Sequence, residues 1–172
     1  MVEQITQSKP DVRKNDEILL EEVDRYDKII LSPGPGLPKD AGILNSLISR
    51  YASSKSILGV CLGHQAIGEV FGGKLINMSN VQHGIADAIQ VTDNTARIFK
   101  DMQTMQVVGR YHSWVLDHQM IPTDLIVTAV DQQQQVMAIS HKHLDVCGVQ
   151  FHPESIMTPN GRQMMANWIF CK

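Results

Sequence analysis

Cysteine is scarce in this sequence, and its positions exclude two classes of small protein. The chain of 172 residues has three cysteines, Cys61, Cys147 and Cys171, which lie far apart and form no C-x-x-C pair. An odd number of scattered cysteines argues against a disulfide framework and against a zinc site, so we expect no bound metal. The same pattern favours a reducing, cytoplasmic compartment, with Cys147 and Cys171 as core thiols.

The sequence also lacks long apolar runs and a strong excess of charge. No stretch approaches the roughly 18 to 20 apolar residues that a membrane-spanning helix needs, and the first residues do not resemble a signal peptide. A net charge of −3 gives no reason to expect nucleic acid or a membrane as a partner. Hydrophobic residues make up 43% of the chain, which is typical of a globular protein. Residues 1–172 contain no linker or repeat and are predicted to form a single domain.

Short apolar runs alternate with helical patterns in the first half of the chain. Strands are predicted over residues 26–32 and 57–60, and helices over residues 40–51 and 62–71. This alternation is typical of an α/β domain with a largely parallel sheet. The second half is richer in strands, which are predicted over residues 88–91, 106–108, 125–130, 136–139 and 146–151. A last helix is predicted over residues 160–171, with Asn160 as its N-cap.

The segment Gly59-Val60-Cys61-Leu62-Gly63 has the form of a nucleophile elbow, a sharp turn between a strand and a helix that exposes its central side chain. The glycines allow the tight turn, and the N-terminus of the following helix favours a thiolate. The backbone N–H of Leu62 would be free to face an oxyanion. A buried cysteine that only fills space is the alternative, and the turn alone does not decide between the two.

The segment from Gly148 to Glu154 has the sequence GVQFHPE. It contains a candidate base and a carboxylate at the end of a predicted strand. Residues two apart in an extended chain point to the same side, and Pro153 keeps this stretch extended, so His152 and Glu154 can lie together. Such a carboxylate can orient an imidazole that takes the proton of a cysteine nucleophile. A strand-end histidine beside a solvated glutamate is the alternative.

The loop Ser32-Pro33-Gly34-Pro35-Gly36 directly follows the first predicted strand. An ordinary surface turn is the alternative, but such a turn needs only one Pro-Gly pair and this loop has two. Glycines let a substrate approach backbone N–H groups, as an oxyanion hole requires. Because strand ends at one edge of an α/β sheet form sites, this loop, Cys61 and His152 are predicted to lie together.

Four segments resemble a known family. SPGPG, GVCLGHQAIG and GVQFHPES are similar to the motifs of the class I (triad-type) glutamine amidotransferases, and Arg110-Tyr111-His112-Ser113-Trp114 resembles the R-Y-H-S-L segment of their anthranilate synthase and aminodeoxychorismate synthase branch. The resemblance extends from about Asn15 to the C-terminus. It implies an open, mostly parallel twisted sheet with flanking helices, of the flavodoxin-like kind.

The resemblance also implies roles for individual residues. Cys61 would be the nucleophile, His152 the general base and then acid, and Glu154 the carboxylate that orients it. The oxyanion would bind the backbone of Gly34 and Leu62. Contacts to the glutamine substrate would fall on Gly36, Gln65, Ser113 and Trp114. Trp114 stands where the family usually has leucine, a change that a backbone contact would survive.

The implied function is that of the glutaminase subunit of anthranilate synthase in tryptophan biosynthesis. It would hydrolyse L-glutamine through a cysteine thioester and pass ammonia to a chorismate-using synthase subunit. This chain would carry no cofactor, and Mg²⁺ would belong to the partner. The glutaminase subunit of aminodeoxychorismate synthase, in folate synthesis, is the alternative within the family. A stand-alone cysteine hydrolase is disfavoured because the residues that contact glutamine are present.

One departure from the family concerns the N-terminus. Family members open with a strand and helix that contain a D-N-x-D-S-F segment, which is not found here, whereas residues 1–5 resemble the end of that helix. We therefore expect a truncated sheet, with apolar neighbours and unpaired backbone groups exposed beside the missing strand. This expectation keeps open a further alternative, a non-catalytic module that binds the partner without turning over glutamine.

Overall fold

Helices and strands alternate in the first half of the chain, and the second half is mostly strands, as the sequence predicts. A computed structural model describes residues 1–79 and 81–171. The helices are α1 (Val2–Thr6), α2 (Leu44–Tyr51), α3 (Leu62–Val70) and α4 (Gly161–Phe170). The strands are β1 (Lys28–Leu31), β2 (Ser56–Val60), β3 (Leu75–Asn77), β4 (Ile85–Val91), β5 (Met105–Arg110), β6 (Trp114–Leu116), β7 (Leu125–Asp131), β8 (Val136–His141) and β9 (Val146–Val149). Short 3₁₀ helices cover Leu20–Arg25, Pro38–Asp40, Arg97–Phe99 and His118–Met120.

The main sheet has a parallel part and an antiparallel part. Its order is β1-β2-β9-β8-β7-β4-β5, and β3 pairs with β6 in a separate small sheet. Strands β1, β2 and β9 are parallel, and helix α2 forms the crossover connection from β1 to β2. The other pairs in this sheet are antiparallel, as in the hairpin of β7 and β8. The α/β class with flanking helices is confirmed, and the parallel pairing is confined to three strands.

Helices cover both faces of the sheet. Because neighbouring residues of a strand point to opposite faces, β2 contributes Ile57 to one buried cluster and Leu58 to the other. The Ile57 cluster includes Ile48 of α2 and Ile67 of α3. The Leu58 cluster includes Trp168 of α4. Strand β2 is buried along its whole length and lies at the centre of the packing.

Helix α3 approaches β2 so closely that side chains are excluded between them. A Cβ atom on Gly59 would lie 2.4 Å from the carbonyl carbon of Gly63, and one on Gly63 would lie 2.4 Å from the carbonyl oxygen of Leu31. The backbones of Gly63 and Leu31 cannot move without disturbing α3 and β1, to which they belong. The two glycines therefore place the N-terminus of α3 against the ends of β1 and β2.

The N-cap of α4 and the small sheet of β3 and β6 differ from the sequence predictions. Asn160 occupies the N-cap position of α4, but its side chain makes no capping hydrogen bond; its Nδ2 donates instead to Oε1 of Gln106 over 2.9 Å. Strands β3 and β6 were not predicted, because they are three residues long and hold together only through each other. Such short strands lack the alternating pattern that identifies longer ones.

Strand β1 forms one edge of the sheet, beside the Ser32–Gly36 loop. A cavity of about 500 Å³ is lined by this strand, by residues 11–15 and by residues of helix α2. Among the described residues, β1 is paired on one side only. The expected exposure of its apolar residues is only partial, because Ile29 and Ile30 are both half-buried and pack against the two core clusters.

The packing of α3 on β2 can be tested by Gly59→Ala. The added methyl group would meet the backbone of Gly63, so we expect the free energy of unfolding to fall by about 1–3 kcal/mol or more. Chemical denaturation measures this change. Ser49→Ala, an exposed site on α2, is the control and should change stability by less than about 0.5 kcal/mol. Equal stability of the two variants would contradict the close approach of α3 to β2.

Candidate active site

Cys61 occupies the turn between β2 and α3 in a strained backbone conformation. Its φ of 53° and ψ of −100° lie outside the regions that residues with a side chain favour. Its N–H donates to the carbonyl of Val149 over 2.8 Å, and its carbonyl accepts from the N–H of Gln65 over 3.0 Å. Strain that is held in place by surrounding contacts is common at functional sites. The predicted elbow is present, but Cys61 is only 8% exposed, so the fold shelters its sulfur.

His152 is held at the end of β9 next to Glu154. Its N–H donates to the carbonyl of Gly109 over 3.0 Å, and its carbonyl accepts from the hydroxyl of Thr158 over 2.7 Å. Its Nδ1 lies 2.7 Å from Oε1 of Glu154. The other ring nitrogen, Nε2, is buried and has no hydrogen-bond partner among the residues that the structure describes. The predicted pairing of His152 with Glu154 is therefore observed, and Nε2 is free to exchange a proton.

The pair is charged at neutral pH. Burial alone would lower the pKa of His152, but the hydrogen bond to Glu154 and the charge interactions with Cys61 and Glu154 outweigh burial and raise it to about 9. Burial raises the pKa of Glu154, yet its hydrogen bond and charge interaction with His152 leave it lower than usual. An imidazolium facing a carboxylate on one side and Cys61 on the other suits a thiolate partner.

The Ser32–Gly36 loop lies against the first turn of α3. A Cβ atom on Gly34 would lie 2.9 Å from Cδ2 of Leu62, so these two residues are neighbours. Gly36 has a φ of +79°, which favours glycine, and nothing lies within 4 Å of the position of its missing Cβ. The structure thus brings Gly34 and Leu62 together and leaves open space at Gly36. That the backbone N–H groups of Gly34 and Leu62 bind an oxyanion stays a prediction.

The predicted glutamine contacts on α3 and β6 are joined by a hydrogen bond. Nε2 of Gln65 donates to the carbonyl of Trp114 over 2.9 Å. The carbonyl of Ser113 accepts from the N–H of Met78 over 2.8 Å, which ties this segment to the chain after β3. The backbone carbonyl of Trp114, and not its indole ring, makes this contact with Gln65.

Gln150 contacts the sulfur of Cys61, which its place in the sequence does not indicate. It is fully buried, and its Nε2 lies 3.7 Å from the sulfur. Its Oε1 accepts from Nε2 of Gln65 over 3.2 Å. A glutamine between buried strand residues carries no sequence signal for this role. Only the pairing of β2 with β9 brings it next to Cys61.

Arg110 anchors a second polar network that the sequence does not reveal. It is 1% exposed, and its Nη1 donates to Oδ2 of Asp131 over 2.8 Å and to Oδ2 of Asp87 over 2.6 Å. Its Nη2 donates to Oε1 of Gln135, and its Nε to Nε2 of His112. A buried guanidinium is tolerated only with such partners. Removing one carboxylate would leave an uncompensated buried charge.

Two other histidines near the site are neutral. Burial and the charge of Arg110 lower the pKa of His112 to about 3, although its hydrogen bond to the carbonyl of Trp114 opposes them. Because Nε2 of His112 accepts from Arg110, its proton resides on Nδ1 and is donated to Trp114. Burial lowers the pKa of His64 to about 4. With such low pKa values, neither histidine is suited to act as a base at neutral pH. This agrees with a structural role for His64.

The remaining cysteines and histidines form no second site in the part of the chain that the structure describes. Burial raises the pKa of the Cys147 thiol to about 12, which makes it an inert core residue. Within residues 1–79 and 81–171, no group of three or more histidine, cysteine or acidic residues is placed to hold a metal ion. No helix in the same ranges is long and apolar enough to cross a membrane.

Fold and geometry together define a class of protein, in which an α/β sheet carries a cysteine elbow on one strand and a histidine–glutamate pair after the next. The chain belongs to the glutamine amidotransferase class-I family, whose model matches residues 4–171.

Curated relatives are similar over most of the chain. Aminodeoxychorismate synthase component 2 of Escherichia coli is 41% identical over 160 residues, which cover 92% of this chain and 84% of that protein. Anthranilate synthase component 2 of Pseudomonas aeruginosa is 40% identical and covers 92% of this chain and 81% of its own length. A Bacillus subtilis relative, also 40% identical over 92% of this chain and 81% of its own length, is named aminodeoxychorismate/anthranilate synthase component 2.

Solved structures share the fold. A protein from Thermoplasma acidophilum that is named as a GMP synthase subunit superimposes with a TM-score of 0.80 at 27% identity, over 90% of this chain and 76% of that one. A glutamine amidotransferase from Thermotoga maritima, with a TM-score of 0.67 at 19% identity over 89% of this chain and 65% of that one, shares the fold. The α/β architecture inferred from the sequence is therefore confirmed.

The charge state of His152 can be tested with Glu154→Gln. The pKa of His152 is raised from an ordinary 6.5 to about 9, so its interactions stabilise the fold fully below pH 6.5 and are lost as the pH rises through 9. Without the carboxylate, we expect the pKa of His152 to fall by about one unit or more. The stabilising interactions of His152 would then be lost at a lower pH. An NMR titration of labelled histidines measures this pKa. His64 and His112, which should titrate as before, are the internal controls. An unchanged midpoint for His152 would contradict the role of Glu154.

Proposed function

We propose that this chain is the glutaminase subunit of anthranilate synthase, which hydrolyses L-glutamine and supplies ammonia to a chorismate-using synthase subunit. The observation that carries the proposal is the sheltered elbow of Cys61 beside the charged pair of His152 and Glu154. Membership of the glutamine amidotransferase family and relatives named anthranilate synthase component 2 support it. The designation component 2 supports a synthase partner subunit, and chorismate and the tryptophan pathway are part of the proposal.

In the proposed first half-reaction, the thiolate of Cys61 attacks the side-chain amide carbon of glutamine. The C–S bond forms, and the oxygen becomes an oxyanion that the N–H groups of Gly34 and Leu62 stabilise. His152, already protonated, gives its proton to the amide nitrogen as the C–N bond breaks, and ammonia leaves. A γ-glutamyl thioester remains on Cys61.

In the second half-reaction, His152 acts as a base because it has just lost its proton. It takes a proton from water as the water oxygen attacks the thioester carbon, and the C–S bond then breaks. The electron pair returns to sulfur, glutamate leaves, and the thiolate–imidazolium pair is restored. Glu154 stabilises the imidazolium and fixes its orientation throughout.

Glutamine itself is proposed to bind between the Ser32–Gly36 loop and strand β6. Gly36 has open space beside its backbone, as close approach of a substrate requires. Gln65, Ser113 and Trp114 are proposed to hold the amino, carboxylate and amide groups. The buried Gln65 and the backbone of Trp114 are already fixed against each other, so this part of the pocket is formed before substrate binds.

A second candidate is the same chemistry in the service of aminodeoxychorismate synthase. A relative that bears this name is 41% identical, and another bears both names at 40%. These identities are too similar to separate the pathways. No feature of the Cys61 site discriminates them, because glutamine hydrolysis is the same reaction in both.

Cys61→Ser tests the proposed nucleophile. With chorismate and a chorismate-using synthase subunit present, we expect glutamate release from glutamine to fall to background, because the hydroxyl of serine is a far weaker nucleophile here than a thiolate. Ammonia-dependent synthesis by the partner should be preserved. Cys147→Ser, which changes an inert core thiol, is the matched control and should keep glutamine use. Glutamine use by Cys61→Ser would refute the assignment. No release by the folded wild-type complex would instead favour a non-catalytic binding module.

Product identity separates the two pathways. The chain is mixed in turn with an anthranilate synthase component I and with an aminodeoxychorismate synthase component I, each with glutamine and chorismate, and the products are resolved by chromatography. We expect glutamine-dependent anthranilate, since the main proposal is the anthranilate branch. Product with the aminodeoxychorismate synthase component alone would contradict the main proposal and assign the chain to folate synthesis. Product with both components would make it a subunit shared by the two enzymes.

A further inference from the structure

We propose that Gln150 is a further catalytic residue, whose side-chain amide donates a hydrogen bond to the sulfur of Cys61 and favours its ionised form. The inference rests on the proposed function, since it concerns the proposed nucleophile. Gln150 is fully buried and its Nε2 lies 3.7 Å from the sulfur. Its backbone N–H donates to the carbonyl of Met137 over 2.9 Å, which fixes the residue between β8 and the elbow.

The orientation of the amide follows from its neighbours. The carbonyl of Trp114 can only accept, so the group of Gln65 that lies 2.9 Å from it must be the NH₂. The same NH₂ faces the amide of Gln150 over 3.2 Å, so Gln150 must present its oxygen there. Its own NH₂ is left to face the sulfur. The donor at Cys61 is therefore determined by a backbone carbonyl two contacts away.

A donor at this position acts on both halves of the reaction. It stabilises the thiolate before attack, together with the imidazolium of His152. In the thioester the sulfur carries no charge, and the hydrogen bond weakens. When the C–S bond breaks in the second half-reaction, the electron pair returns to sulfur and the amide of Gln150 again faces a thiolate. The amide therefore favours the thiolate that attacks glutamine and also assists the departure of sulfur from the thioester.

Gln150→Met tests this role, because methionine has a similar length and no donor. The rate of carbamidomethylation of Cys61 by iodoacetamide, located by peptide mass spectrometry, is measured against pH. We expect the midpoint of this profile to move upwards by about one pH unit, the size of one hydrogen bond to a charged group. The measurement needs neither glutamine nor a partner, so it stands apart from the test of the proposed function.

Gln106→Met is the matched control. Gln106 is likewise buried, at 3% exposure, and its amide donates to the carbonyl of Gln103 and accepts from Asn160, without contact to Cys61. Its profile should coincide with that of the wild type. A Gln150→Met profile that also coincides with the wild type would overturn the inference and leave Gln150 a packing residue, while glutamine hydrolysis by the same protein would keep the proposed function intact.

A second measurement uses the wild-type chain and does not depend on the variant's folding. The side-chain amide resonances of Gln150 and Gln106 are followed by ¹⁵N NMR before and after carbamidomethylation of Cys61. We expect the Gln150 signal to shift, because alkylation removes the charge it faces, and the Gln106 signal to stay. An unshifted Gln150 signal would contradict the contact with sulfur.

Discussion

The site depends on the parallel pairing of β2 with β9. The hydrogen bond from the N–H of Cys61 to the carbonyl of Val149 extends this pairing into the elbow, so the two chain segments that carry Cys61 and His152 leave the sheet side by side. The register is set by glycine. Gly59 and Gly148 are paired, and a Cβ atom on either would collide with α3. A slip by one residue would put side chains in this space, so the packing of α3 keeps the two strand ends aligned.

The three histidines near this site are all sheltered from solvent but differ in charge. Burial removes the charge of His64 and His112, whose pKa values fall to about 4 and 3. His152 is also sheltered, yet its pKa rises to about 9 because Cys61 and Glu154 interact with the imidazolium. Desolvation alone disfavours a charge, and only a partner of opposite sign reverses this. One imidazole in the neighbourhood is thus kept charged, while the two others serve as neutral spacers and hydrogen-bonding groups.

Patterns that are local in sequence were predicted well, and contacts that form only in three dimensions were not. The elbow at Cys61, the pairing of His152 with Glu154 and the helices and longer strands follow from turn chemistry and periodicity. Asn160 was placed correctly, but its side chain has a partner on β5 that no local rule specifies. Gln150 and Arg110 act through partners distant in the chain. Strand pairing had to be known before either could be assigned a role.

Hydrogen bonds from the antiparallel part of the sheet and from the elbow meet at the carbonyl of Trp114. Arg110, held by two carboxylates, donates to His112 and thereby puts the imidazole proton on the nitrogen that faces the carbonyl of Trp114. Gln65 donates to the same carbonyl and to Gln150. Each group has one permitted orientation, because the carbonyl between them can only accept. Arg110 therefore fixes the tautomer of His112, while the carbonyl of Trp114 separately fixes the amides of Gln65 and Gln150, the second of which faces the sulfur.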